Sequence, residues 1–171
     1  KTLKKITFRD TRWEKILTNI RKHLSNKITK SKNEISYSQL QFIIALGEQC
    51  FLNEYVYSLT EEENLSLNLI INRCIDGELD EKNISILSCY IPLYKLLDKI
   101  PSLKFLNSSN QDFKNLLELQ ILEPLKEIEL SKTIKSLGSI KDNISQKVKA
   151  QYEEYPYPRW RYGNALKDQK L

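Results

Sequence analysis

Between positions 40 and 51 the chain places Leu40, Phe42, Ile43, Ile44, Leu46, Cys50 and Phe51 so that a helix through them is apolar around most of its circumference. Such a helix has no face to turn to water. It belongs in the middle of a bundle, wrapped by other helices. That requirement constrains the rest of the molecule more than any other segment. The helix is expected from about Tyr37 to about Val56. Gly47 inside it is unfavourable for helix propensity, which points to a close helix crossing there.

The flanking segments supply the wrapping helices. Asp10 can cap a first helix whose apolar residues are Trp13, Ile16, Leu17, Ile20 and Leu24, and residues 25–36 read as a basic surface loop. Thr60-Glu-Glu-Glu63 fits a capping box, with glutamates complementing the positive end of the dipole. The helix it opens carries Leu67, Ile70, Ile71, Cys74 and Ile75 and closes at Gly77. Asp80 caps a fourth helix bearing Ile84, Leu87, Ile91 and Tyr94. Pro92 predicts a kink or break in it, and Ile100-Pro101 ends it before a loop over 101–109. Asn110 starts a fifth helix with Phe113, Leu116, Leu117 and Ile121, and Pro124 opens a separate short one. Residues 132–141 read as a connector around Gly138, and Asp142 caps a last helix ending near Glu154.

These signals predict an all-α fold, a compact bundle of six or seven helices with an extended aromatic and proline-rich C-terminal tail. The bundle takes residues 1–141. Residues 142–171 hold the last helix, a strap and a basic tail, within one domain overall. No repeat of the helical-hairpin spacing is convincing, and the enclosed central helix favours a globule over an open solenoid.

Cys50, Cys74 and Cys89 lack a C-x-x-C spacing and sit in apolar helical contexts, so buried free thiols in a reducing, cytoplasmic setting are expected. With a single histidine, His23, no zinc site is expected. No apolar run approaches the length of a membrane span, and no secretory leader is visible. The chain has no methionine, even at position 1, as expected of a piece of something longer. Its net charge of +5 is unevenly spread. Residues 1–32 carry eleven Lys/Arg against Asp10 and Glu14, the middle of the chain is acidic, and the last residues are basic again. A basic front suits nucleic acid or an anionic partner, or is a solvated face.

No glycine-rich phosphate loop, nucleophile elbow or metal-ligand helix is present. The Glu61–Glu63 and Glu153–Glu154 clusters read as helix ends or solvated faces, and nothing assembles a nucleophile, base and oxyanion donor. Two segments rise above this background. At the end of the central helix, Asn53 and Glu54 interrupt Phe51, Leu52, Tyr55 and Val56. If buried they must find partners, either by fastening the helix end to a loop or by contacting another domain or ligand. The second is Gln151-Tyr-Glu-Glu-Tyr-Pro-Tyr-Pro-Arg-Trp160. There a helix bearing Ile144, Val148 and Tyr152 on one face is stopped by alternating prolines. Tyr152, Tyr157, Arg159 and Trp160 are the candidate binding residues. The rings have an apolar body and a polar tip, and Arg159 offers a planar fork. Such a strap either packs on its own bundle or docks on an adjacent domain.

Together the two segments resemble a group of bacterial proteins in which a tetratricopeptide-repeat array is joined, through a helical region, to a class I S-adenosylmethionine-dependent methyltransferase domain. The matching stretches are Gln49-Cys-Phe-Leu-Asn-Glu-Tyr-Val56, Thr60-Glu-Glu-Glu63 and the strap, within residues 38–160. The usual strap reads Gln-Tyr-Glu-Glu-Asn-Pro-Tyr-Pro-Arg-Trp, and this chain departs from it at Tyr155. The resemblance implies the middle helical region alone. That region would be non-catalytic, with the methyltransferase core and the repeat module as partners and the strap against the core's substrate entrance. S-adenosylmethionine is implied for the parent protein only, since no position here matches its binding loop. The alternative is a basic nucleic-acid-binding helical domain.

Overall fold

The computed structural model describes residue 3 and residues 10–30, 35–134 and 142–154, without the side chains of residues 143 and 152–154. Among the described residues there are helices and turns and no strand. The α-helices are α1 (Thr11–Lys30), α2 (Tyr37–Leu52), α3 (Glu61–Ile75), α4 (Glu81–Leu87), α5 (Gln111–Leu117), α6 (Glu123–Ser131) and α7 (Asn143–Glu154). Short 3-10 turns cover Leu93–Leu96 and Pro101–Phe105, and a π-helical turn, Glu118–Leu122, joins α5 to α6.

The caps follow the residues that the chain supplies. Asp10 accepts from the Arg12 amide at 2.9 Å. Ser36 with Gln39 and Thr60 with Glu63 form complete capping boxes at α2 and α3. Asp80, Asn110 and Asp142 take the first amides of α4, α5 and α7. Gly77 ends α3 with φ 103, a left-handed position that glycine occupies without steric penalty.

Every residue of α2 from Ile43 to Leu52 is buried, as a helix apolar all round demands. It packs most extensively on α4, and α1 packs most extensively on α3. α1 and α3 run in the same direction. Arg21 meets Glu63 at the start of α3, while Arg73 near its end reaches the Ile28 and Thr29 carbonyls. A β-carbon at Gly47 would overlap Ser88 Oγ and press on Ser88 Cβ at 3.1 Å. The glycine therefore marks a close crossing between α2 and the turn after α4.

Several expectations need correction. α1 continues through 25–30 instead of yielding to a loop, because Ser25 and Ile28 extend its buried stripe. Trp13 and Ile16, expected in that stripe, are exposed at 48% and 46%. α2 stops at Leu52, short of Val56. α4 ends at Leu87, well short of Ile100, and of the kink or break expected at Pro92 it is the break that occurs, with a 3-10 turn following. The 101–109 stretch begins with another 3-10 turn. Pro124 stands in the first turn of the short helix α6, as expected, but that helix follows the π turn directly instead of standing apart. Pro124 lacks the amide that would bond the Gln120 carbonyl, and the widened turn, in which the Glu123 amide bonds Glu118 O, carries the axis on into α6.

Candidate functional site

One fully buried polar group is built on Arg21. It occupies a core position of α1, between Leu17 and Leu24, and only 1% of it is exposed. Its Nη2 donates to Ser58 O at 2.6 Å and to Glu63 Oε1 at 3.3 Å. Its Cζ lies 4.2 Å from the centre of the Tyr90 ring and 5.9 Å from that of Tyr57. A desolvated cation over aromatic faces is attracted by their quadrupoles. Glu63 is saturated in turn. Thr60 N and Thr60 Oγ1 each donate to its Oε2 at 2.9 Å, and the Tyr90 hydroxyl donates to Oε1 at 2.8 Å. Burial pushes the Glu63 carboxyl up, but the Thr60 amide, Tyr90, the Thr60 hydroxyl and Arg21 together hold it below its ordinary value. Burial likewise pushes the Tyr90 phenol up. The group ties α1, α3 and the turn after α4 together as a fixed ion pair, closed to solvent.

The second group lies at the end of α2. The Tyr55 amide bonds Cys50 O at 2.9 Å and the Glu54 amide bonds Phe51 O at 3.3 Å, the paired contacts of a Schellman motif. Glu54 and Tyr55 both take left-handed conformations, with φ 55 and φ 57. Left-handed backbone costs a side-chain-bearing residue roughly 1–2 kcal/mol. The geometry turns Tyr55 inward, where its hydroxyl donates within reach of Ser88 O (3.3 Å) and Gln120 Oε1 (3.2 Å). Gln120, fully buried on the π-helical turn, donates from Nε2 to Gly47 O at 2.9 Å and to Ser88 O at 3.1 Å. Its Oε1 accepts from Leu93 N at 3.3 Å. One amide side chain thus joins α2, the end of α4, the 3-10 turn and the π turn.

Of the candidate binding residues, Asn53 is buried. Its Oδ1 accepts from the Tyr55 amide at 3.1 Å, so it fastens the helix end. Glu54 beside it is half-buried. Tyr152 lies on α7, with its side chain outside the described set, and Tyr157, Arg159 and Trp160 lie outside the described residues. Ile144 and Val148, on the face of α7 that leads to them, are 73% and 46% exposed.

No family model, curated protein or solved structure matches this chain.

Among the described residues no group of three or more His, Cys, Asp or Glu is placed to hold a metal ion, and no helix is long and apolar enough to cross a membrane. The arrangement holds shape: two buried polar networks tie the helices together, and Ile144 and Val148 of α7 stand exposed. Sequence reasoning missed Arg21, Tyr90 and Gln120. The available signal was positional, since each falls where the helical period calls for an apolar residue.

Proposed function

We propose that this chain is a non-catalytic helical accessory domain. It docks a repeat-type module to the catalytic core of an S-adenosylmethionine-dependent methyltransferase and shapes that core's substrate entrance. The observation that carries the reading is the unpartnered face of α7, Ile144 and Val148, running into the Tyr-Pro-Tyr-Pro-Arg-Trp sequence. An amphipathic helix gains little from folding in water unless its apolar side is covered.

The nucleic-acid alternative draws less support. Lys22 and Lys30 of α1 are engaged by Glu62 at 3.1 Å and 2.9 Å, with Glu62 held at about 2 through its bonds to Lys30 and Lys22. The test is to express the complete reading frame that encodes this chain. Methyl transfer is then compared with and without Trp160→Ala. A several-fold loss of transfer, together with looser docking of the helical region, is expected. Unchanged transfer and docking would overturn the proposal.

A further inference from the structure

The two 3-10 turns that follow Pro92 lie on the core along one row of side chains. Leu93 and Leu96 of the first turn and Leu103 of the second are buried, as is Ile100 between them. In the second turn Leu103 N bonds Ile100 O at 3.1 Å and Leu106 N bonds Leu103 O at 3.3 Å. Side chains at i and i+3 eclipse in such a turn, so Ile100, Leu103 and Leu106 face inward together, with Leu106 half-buried against the core. Phe105 falls in the row of Ser102 and is driven outward. It cannot turn in without turning Leu103 out. It is 82% exposed, the most exposed large apolar residue among the described ones.

Lysines share this outer side. Lys95, Lys99 and Lys104 are all exposed on the same short segment, where Asp98 is the one acid. Among the described residues none of the three lysines forms an ion pair. The lysines of α1 differ, since Lys22 and Lys30 are both taken up by Glu62.

We propose that the segment from Leu93 to Leu106 is a peripheral membrane contact for an anionic lipid surface. Phe105 enters the boundary between headgroups and acyl chains, while Lys95, Lys99 and Lys104 lie among the negative headgroups. A projecting ring beside lysines is complementary to a surface that is apolar beneath a negative layer. The same observations disfavour single-stranded nucleic acid. That partner is held in a groove where successive bases stack on several rings, whereas Phe105 is the only exposed ring of the segment and lies in no groove. The cations are all lysines, point charges suited to a fluid headgroup layer, with no arginine fork for a base or a fixed phosphate. One ring and three lysines give reversible attachment, with half-binding expected on the order of millimolar lipid.

The test spins the full chain down with vesicles of phosphatidylcholine mixed with phosphatidylserine, and with vesicles of phosphatidylcholine alone. Only the mixed vesicles should carry the chain down, and added salt should release it. Phe105→Ala should weaken binding about tenfold. Changing Lys95, Lys99 and Lys104 together to Gln should weaken it on the order of a hundredfold. All four positions are exposed, so both variants should keep the urea midpoint of the unaltered chain. Phe105→Trp gives an independent reading: its added fluorescence should shift to the blue and be quenched by brominated lipid. No binding to the mixed vesicles, or equal binding to both kinds, would overturn the proposal. So would binding that Phe105→Ala and the lysine variant leave unchanged, which would place it on the basic ends of the chain. Oligouridylate held more tightly than the vesicles, with the same dependence on Phe105, would overturn it in favour of nucleic acid.

Discussion

Arg21 shows how one side chain can fix a helix in register. It replaces an apolar residue in the stripe of α1, and its charge is met by Glu63, Ser58 O and two tyrosine rings. Breaking a buried pair by removing one partner leaves an uncompensated charge, which costs about 3–5 kcal/mol. Glu63→Ala should therefore unfold the chain at far lower urea than Tyr90→Phe. The latter removes one bond to a carboxylate and should cost about 1.5–3 kcal/mol. Comparable urea midpoints for the two variants would contradict this. Glu54 presents the opposite case. It holds a left-handed position where glycine is cheaper, as Gly77 demonstrates at the end of α3. Glu54→Gly should raise stability by about 1 kcal/mol in thermal or urea unfolding. A loss would mean that the side chain of Glu54 contributes more to the fold than its backbone costs.

At the level of elements, much was legible in the sequence. The central position of α2 followed from a circumference that is apolar over most of its extent. The caps at Asp10, Thr60, Asp80, Asn110 and Asp142 and the stop at Gly77 followed from residue types whose side chains or backbone satisfy helix ends. The end of α2 was not legible, because Glu54 and Tyr55 adopt a conformation that their identity does not favour and only the surrounding contacts impose. The extension of α1 was missed because polar composition masked the position of Ile28. The π turn was missed because Pro124 reads locally as a helix start, whereas the buried bonds of Gln120 hold the chain on one axis. Gln120→Leu should show how much that turn depends on its amide. It leaves Leu93 N short of a partner in the core, at about 1–3 kcal/mol, while the Tyr55 hydroxyl keeps Ser88 O, and should lower the urea midpoint accordingly. Full stability in the variant would mean that the π turn is held by Pro124 and packing alone. The candidate site was legible only in part. Asn53 lies where its residue type requires a partner, while the strap residues carry an expectation that the described residues do not reach.

For the whole molecule, the ionisable groups define a window of stability. Glu63 titrates below its ordinary 4.5 when folded, so its contribution is present above that value and is lost as the pH falls through the folded one. Cys89 is held above its ordinary 9.0, and burial pushes Cys74 up to about 11. The unfolded chain therefore loses these protons first, and stability should decline from about pH 9 upward, by up to about 1.4 kcal/mol per pH unit for each group. Urea midpoints across pH 3 to 11 should trace a plateau falling at both ends, on the order of the windows named. A profile flat from 9 to 11 would contradict the buried state of the thiols.

The central claim, that a locked bundle presents the open face of α7 to a neighbouring domain, is tested most directly by hydrogen exchange. In this chain alone, the amides of residues 144–151 should exchange orders of magnitude faster than those from Ile43 to Leu52, and in the full reading-frame protein they should become protected. Slow exchange of 144–151 in the isolated chain, or no gain of protection in the longer protein, would contradict the account.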